Sequence, residues 1–296
     1  MPELISVIVT TYNREDALAA ALRALGRQTD RDFEIVVADD GSRAETARVV
    51  ESFAARSPVP VKHVWHADNG FRGGEIRNRG IRVSTGLLCI FLDGDCLARP
   101  DFIAAHRRLA EPGWFVTGNR ILLSRQLTEA VLAAGAAAES WDFVTLTRES
   151  LRCGVNRLLP ALRLPLGPLR KHFYLGRNWR GAQTCNLAVA RADLDRVDGF
   201  DASFLGWGLE DSDLVVRLLH AGVRRKDGRF ATGVLHLWHP PNDRSRLPAN
   251  QERLDAVIHS DRVRALRGLS LLPEGGGALG AEIGAKVGAT PAGRVR

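Results

Sequence analysis

Residues 205–213 read LGWGLEDSD, which places a tryptophan between two glycines directly before three acids. Glycine raises the entropy cost of ordering the backbone, so this is a poor start for a regular element. The leucine spacing downstream predicts a helix over 210–221, and carboxylates at its N-terminus are favoured by the helix dipole. We therefore expect Asp211 to stay ionised, as a general base must. A simple acidic helix cap is the alternative, but it does not explain Gly206-Trp207-Gly208, whose ring could stack on a sugar or close over a substrate.

Two further groups of side chains could hold a metal ion. Asp93-Gly94-Asp95 follows an apolar run, and hard ions such as Mg²⁺ and Mn²⁺ prefer carboxylate oxygens. His236 and His239 lie three residues apart in LHLWH, and imidazole suits Mn²⁺. An ordinary Asp-Gly turn, and one buried plus one surface histidine, are the alternatives. Taken together, the two groups predict a site of mixed oxygen and nitrogen ligands.

Apolar runs alternate with amphipathic segments along the chain, which predicts an α/β fold with a doubly wound, mostly parallel sheet flanked by helices. Asn13 is the expected N-cap of the first helix, with Asp16 three residues on. The predicted strands are 5–10, 33–40, 61–66, 87–93 and 184–191, and the predicted helices are about 44–56, 74–84 and 210–221, with another from Pro100.

Polar residues follow three of these strands. The first strand ends in Thr10-Thr11-Tyr12-Asn13, the second in Asp39-Asp40-Gly41-Ser42, and the strand at 87–93 in Asp93-Gly94-Asp95. Each alone could be a turn. Because ligands of such sheets bind beyond the carboxyl ends of the strands, the three together predict a site at that edge.

Composition narrows the class of protein. The chain has 296 residues, 45% hydrophobic and 25% charged, with a net charge of +7. No apolar run is long enough to span a membrane, and the N-terminus lacks the features of a signal peptide, so we expect a cytoplasmic protein. No zinc-finger or RNP-like pattern supports nucleic-acid binding, and we expect no nucleic-acid partner. The four cysteines form no CxxC pair, and we expect reduced, mostly buried thiols.

Segment 148–180 differs from the rest of the chain. It carries leucines, eight cations and one acid, Glu149, and its prolines at 160, 165 and 168 argue against one continuous helix. We interpret it as an ordered insertion or a mobile loop. Its composition fits a solvated loop about as well as peripheral contact with an anionic membrane. The tail from Pro273 is rich in glycine and alanine, and we expect it to be poorly ordered.

The motifs together resemble the family 2 glycosyltransferases of GT-A fold. The resemblance lies in SVIVTTYNR, VVADDGS, IRNRGI and FLDGD, and FLGWGLEDSDLVVRLLHAG is similar to the acceptor-side motif of β-1,4-galactosyltransferases and N-acetylgalactosaminyltransferases. It implies three regions: a nucleotide-sugar-binding half (1–120), an acceptor-binding and catalytic half (121–245) containing the basic insertion 148–180, and a C-terminal helix with a flexible tail (246–296). Leu209 stands where the galactosyltransferase motif has glycine.

The resemblance also implies roles for single residues. Asp211 would be the base, Trp207 and Glu210 would bind the acceptor, and Arg72 would help Arg77. Asp40 would hydrogen-bond the uracil. The implied nucleotide-binding residues are Thr10, Tyr12, Asp40, Arg77 and Asp93. The implied ligands of a Mn²⁺ or Mg²⁺ cofactor are Asp95, His236 and His239.

The implied activity is inverting, metal-dependent transfer of galactose, N-acetylgalactosamine or N-acetylglucosamine from a UDP-sugar. The acceptor would be a hydroxyl of a glycan or glycolipid in cell-surface polysaccharide biosynthesis, with the enzyme in the cytoplasm or at the inner membrane face. Alternatives are a sugar-nucleotide pyrophosphorylase, a hydrolase using the two histidines, and a non-catalytic sugar- or lipid-binding relative. TTYNRED lacks the glycine-rich basic loop that a pyrophosphorylase needs after its first strand.

Overall fold

The computed structural model describes residues 4–272, without the side chains of residues 171 and 172, so the tail predicted from Pro273 lies outside the described residues. The strands are β1 Ile5–Thr11, β2 Phe33–Asp39, β3 Val61–Trp65, β4 Leu88–Asp93, β5 Cys96–Ala98, β6 Trp114–Thr117, β7 Arg120–Leu123, β8 Val155–Asn156, β9 Tyr174–Gly176, β10 Asn186–Ala190, β11 Arg224–Asp227 and β12 Val234–His236. The α-helices are α1 Glu15–Gly26, α2 Ala44–Ala54, α3 Gly73–Val83, α4 Phe102–Leu109, α5 Arg125–Ala134, α6 Phe143–Leu151, α7 Arg191–Val197, α8 Glu210–His220 and α9 Leu247–Ile258.

An eight-stranded sheet forms the centre of the molecule, in the order β3-β2-β1-β4-β10-β6-β11-β9. The pairs among β3, β2, β1 and β4 are all parallel, whereas β10 runs antiparallel to both of its neighbours. The parallel strands are buried because helices pack on both faces, which explains their continuous β-branched sequence. The predicted mostly parallel α/β architecture is confirmed.

A second sheet of four strands was not predicted. Its order is β5-β12-β7-β8, and its strands are two to four residues long. Such short strands carry little periodicity in the sequence. This sheet pairs His236 with Cys96 across β12 and β5, and so brings a C-terminal histidine next to Asp95.

The basic segment 148–180 is built into both sheets rather than attached to them. β8 pairs with β7, and β9 forms the edge of the large sheet by pairing with β11. The guanidinium of Arg163 bonds Asp101 and the carbonyl of Ala231, and Arg170 donates to backbone carbonyls of the loop after β11. Of the two interpretations of this segment, the structure therefore agrees with an ordered insertion.

The predicted cap of the first helix is wrong. α1 begins at Glu15 with Arg14 at the N-cap position, and no side chain caps it. Asn13 has a positive φ of 45°, and its side-chain oxygen accepts a hydrogen bond from the backbone N–H of Arg43. Asn13 thus ties the end of β1 to the start of α2.

Candidate active site

A cavity of about 940 Å³ opens beyond the carboxyl ends of β1, β2 and β4 and reaches the N-terminus of α8. The site residues expected from the sequence, except Arg72, line it: Thr10, Tyr12, Asp40, Arg77, Asp93, Asp95, Trp207, Glu210, Asp211, His236 and His239. The cavity walls come from segments more than 200 residues apart in the sequence. The fold therefore gathers the residues into one place, while the role of each stays a prediction.

Asp40 is fixed at the end of β2 by two partners. Its Oδ1 lies 2.5 Å from Nε2 of His66, and its Oδ2 accepts a hydrogen bond from the backbone N–H of Arg72 at 2.9 Å. Burial lowers the pKa of His66, but the nearby carboxylates of Asp40 and Glu75 outweigh it and raise the pKa overall. His66 and the Arg72 N–H together hold Asp40 in one orientation.

The first strand contributes a hydroxyl and a phenol. The Oγ1 of Thr10 is buried and has no hydrogen-bond partner among the described residues. Such a buried hydroxyl leaves an unmet hydrogen bond in the cavity wall. Tyr12 is 48% exposed, and its hydroxyl donates to Asp68 at 2.9 Å. That hydrogen bond, together with burial, raises the pKa of Tyr12.

Arg77 connects the two sides of the cavity. Its guanidinium lies 3.1 Å from Glu210 on α8 and 3.3 Å from Asp93 at the end of β4, and only 4% of the residue is exposed. Burial lowers its pKa, but the surrounding carboxylates raise it overall, so the group stays charged. Arg72, its expected helper, does not line this cavity, because its guanidinium bonds Glu75 and the carbonyl of Ala67.

Asp95 lies between the two histidines. Its carboxylate oxygens are 3.6 Å from Nε2 of His236 and 3.7 Å from Nε2 of His239. Two ligand atoms that share one ion at about 2.1 Å each can be up to about 4.2 Å apart, so both distances fit a shared cation. Burial lowers the pKa of His236 more than Asp95 raises it, which favours the neutral, ligating imidazole.

Cys96 also lies near this site, and the sequence did not indicate it. Ligand atoms of Asp95, Cys96 and His236 all lie within 4.8 Å of one another. Burial raises the pKa of the Cys96 thiol well above its usual range, and a protonated thiol is a poor ligand. This group of mutually close ligand atoms does not include His239, so the set of Asp95, His236 and His239 stays a prediction.

Asp211 faces the cavity from the first turn of α8. Burial, and then the neighbouring Glu210 carboxylate, raise the pKa of Asp211 to about 7, against the lowering effects of Arg77 and the Ser212 N–H. Desolvation thus outweighs the helix dipole at Asp211, and the expectation that this carboxylate is ionised at neutral pH stays a prediction. A carboxylate with a pKa near 7 is well matched to proton abstraction at neutral pH.

The three clustered acids Glu210, Asp211 and Asp213 have different surroundings. Glu210 pairs with Arg77, and Asp211 faces the cavity. Asp213 is fully buried and pairs with Arg217 at 2.7 Å, so it cannot serve as an alternative base. The third acid is structural, which an acidic run in the sequence cannot reveal.

The loop before α8 has a backbone that only glycine adopts easily. Gly206 and Gly208 have φ values of 73° and 109°, and Leu209, at the N-cap of α8, has a φ of 74°. These angles turn the chain sharply around Trp207, whose ring lies 5.3 Å from the Arg244 guanidinium. The glycines therefore allow the turn that presents the indole to the cavity.

Sequence reasoning missed several cavity-lining residues. Arg120 on β7 extends to Gln183, and both line the wall beside the metal-type ligands. Arg244, Leu247 and Gln251 line the opposite side and come from the segment after Pro241. No motif marks them in the sequence, because they reach the cavity only through tertiary packing.

Comparison with known families matches two segments of the chain. Residues 6–148 match the family described as Glycosyl transferase family 2, and residues 169–240 match the one described as N-terminal domain of galactosyltransferase. The second match begins inside the basic segment 148–180.

Characterised relatives extend the likeness over most of the chain. Validoxylamine A glucosyltransferase from Streptomyces hygroscopicus subsp. limoneus is 32% identical over 92% of this chain and 58% of its own length. The chondroitin synthase of Escherichia coli is 26% identical over 77% of this chain and 34% of its own length. The chain thus spans a little over half of the glucosyltransferase and about a third of the synthase.

Solved structures share the fold. S. aureus TarS 1-349 in complex with UDP has a TM-score of 0.57 at 17% identity, covering 86% of this chain and 64% of that one. The mannosyltransferase PcManGT from Pyrobaculum calidifontis, in complex with GDP-Man and Mn²⁺, has a TM-score of 0.55 at 20% identity, covering 80% and 57%. The architecture is that of the GT-A glycosyltransferases.

Proposed function

The chain belongs to glycosyl transferase family 2, and on that basis we propose that it is an inverting, metal-dependent glycosyltransferase that uses a UDP-sugar. The sugar would be of the galactose, N-acetylgalactosamine or N-acetylglucosamine type. One observation carries the proposal: Asp211, with a pKa raised to about 7, faces the same cavity as the Asp95–histidine group. A base and a site for the diphosphate would thus share one cavity.

The donor would bind along the strand ends. Asp40 would accept a hydrogen bond from the uracil, and Thr10 in the cavity wall would contact the nucleotide. Asp93, whose side chain is 34% exposed, would reach the ribose or the donor sugar. Since both ends of the Arg77 guanidinium are paired with carboxylates, we assign it to holding Asp93 and Glu210 in place beside the donor.

Asp95, His236 and His239 would hold a divalent metal ion, which when bound neutralises charge on the diphosphate leaving group. Asp211 accepts the proton of the acceptor hydroxyl as that oxygen forms a bond to the anomeric carbon. The bond from this carbon to the diphosphate oxygen breaks on the opposite face, with its electron pair leaving on the diphosphate. The configuration is inverted, and no covalent enzyme intermediate forms.

On the acceptor side, Glu210 would orient the sugar and Trp207 would stack on it. Arg77 binds one oxygen of Glu210 and fixes the side chain, so the other oxygen can accept a hydrogen bond from an acceptor hydroxyl. The acceptor would be a glycan or glycolipid of cell-surface polysaccharide biosynthesis. A relative named chondroitin synthase, at 26% identity, is in keeping with a glycan acceptor.

A panel of UDP-sugars with p-nitrophenyl glycoside acceptors and Mn²⁺ tests the activity. We expect one donor to release UDP faster when an acceptor is present and to give a glycosylated product by mass spectrometry. Nucleotide release without product for every pair would contradict the transferase proposal. EDTA should abolish transfer and Mn²⁺ should restore it, whereas full activity in EDTA would contradict metal dependence.

We also propose that the basic segment contacts an anionic membrane. Val144 and Leu151 on α6 are 75% and 83% exposed, and Leu169 is 61% exposed. Exposed arginines lie nearby in the chain at Arg148, Arg152, Arg157 and Arg177. Each arginine near an anionic surface contributes about 1 kcal/mol, screened by salt. No helix among the described residues is long and apolar enough to cross a bilayer.

Sedimentation with phosphatidylglycerol vesicles tests this contact. Arg152→Glu with Arg157→Glu should weaken binding at low salt, and Arg253→Glu on the exposed face of α9 is the control for charge alone. Arg163 and Arg170 are unsuitable for charge reversal because their guanidinium groups hold the loop around residues 227–231. Absence of sedimentation of the unaltered protein at low salt would exclude membrane docking.

A further inference from the structure

Helix α9 (Leu247–Ile258) lies outside both segments that match known families, yet it touches the Trp207 loop directly. The amide nitrogen of Asn250 donates hydrogen bonds to the carbonyls of Leu205 at 3.2 Å and Gly208 at 3.0 Å. Asn250 is 1% exposed. One buried side chain thus binds the backbone on both sides of Trp207.

The neighbouring residues of α9 leave the loop little room to move. A Cβ on Gly206 would come within 2.6 Å of the Arg246 side chain, and one on Gly208 within 3.1 Å of Leu247. Farther along α9, Leu254 and Val257 pack with Phe204 and Val216 in one buried cluster. The C-terminal half of α9 therefore packs against α8, and the N-terminal end of α9 packs against the Trp207 loop.

The same helix also faces the cavity. Leu247 and Gln251 line it together with Trp207 and Asp211. An apolar side chain and an amide beside an aromatic ring suit a sugar, which has apolar C–H faces and many hydroxyls. α9 thus supplies both the support of the aromatic ring and part of the wall next to the base.

We infer that α9 forms part of the acceptor subsite, in which Asn250 is a positioning residue for Trp207 and Gln251 contacts the acceptor sugar. The inference rests on the proposed transferase function. Loss of the Asn250 amide frees two buried carbonyls from their donor and releases the loop, while the strand ends that would bind the donor are left as they are. Acceptor use and donor binding should therefore separate.

Two variants of Asn250 test the positioning role. Asn250→Asp keeps the shape but sets a carboxylate oxygen against two carbonyl oxygens, and Asn250→Ala removes the donor without adding charge. In both we expect amide hydrogen exchange at residues 205–209 to rise at least tenfold. The Kd of UDP, measured by titration with Mn²⁺, should change less than twofold, which also reports that the protein is folded. Glu252→Gln, on the exposed side of α9, is the matched control.

Kinetics with the p-nitrophenyl acceptor found in the panel complete the test. Both Asn250 variants should raise the acceptor KM at least tenfold, while the Kd of UDP reports that the donor side is intact. Gln251→Ala should raise the acceptor KM without changing hydrogen exchange.

Unchanged exchange at 205–209 in both Asn250 variants would overturn the positioning role, and an unchanged acceptor KM in Gln251→Ala would overturn the contact. If the unaltered protein transfers no sugar to any acceptor, the proposed function fails, and the exchange measurement still decides whether Asn250 holds the loop.

Discussion

The two sides of the cavity are built in different ways. On one side, Asp40, Asp93 and Asp95 follow buried parallel strands, and the sheet hydrogen bonds fix the backbone that carries them. On the other side, Trp207 sits on a loop of left-handed backbone whose shape depends on Asn250, far along the chain. The strand side is set by local sequence and sheet register, whereas the loop side needs support from residues that no motif marks.

The largest effect should come from Asp211→Asn. The amide keeps the shape and removes the basicity, so we expect turnover to fall by about 10² to 10⁴-fold. UDP binding should be unchanged, because it depends on the strand side. Measurement of both kcat and the Kd of UDP shows whether the variant loses catalysis, nucleotide binding or both. A near-normal kcat in Asp211→Asn would show that another residue is the base.

Asp213→Asn tests whether two acids of the same helix, Asp211 and Asp213, have different roles. Asp213 is two residues from Asp211 but is fully buried against Arg217, so its loss leaves an uncompensated buried charge. We expect a loss of about 3 kcal/mol in the free energy of unfolding, by urea denaturation. Activity per folded molecule should be retained at low temperature. A stable but inactive variant would show that Asp213 acts in the chemistry.

The smallest of the three mutational effects should be on the strand side, from Asp40→Asn. Weakening one hydrogen bond to a charged group costs about 1.5 to 3 kcal/mol, so the Kd of UDP should rise roughly 10- to 100-fold. The pKa of His66 should fall toward its usual value, because Asp40 raises it. NMR titration of His66 checks the second effect. If the pKa falls while UDP affinity stays normal, Asp40 holds His66 but does not hold the nucleotide.

The contrast between the two sides also explains what the sequence could predict. The acids at Asp40, Asp93 and Asp95 were expected at one edge because carboxyl ends of parallel strands meet there, and all three line the cavity. The second sheet was missed because strands of two to four residues show no clear alternation. The burial of Asp213, the support from Asn250 and the raised pKa of Asp211 all depend on contacts between distant segments, which periodicity does not encode.

The pH dependence of kcat/KM tests the role of Asp211 most directly, because kcat/KM reports the pKa of the free enzyme. A general base must be deprotonated, so with a pKa of about 7 for Asp211 we expect kcat/KM to be low at pH 5.5, to rise through a midpoint near 7 and to level off above pH 8. The Kd of UDP measured at each pH shows any contribution from donor binding. A kcat/KM that is constant from pH 5.5 to 8.5 would contradict the assignment of Asp211 as the base.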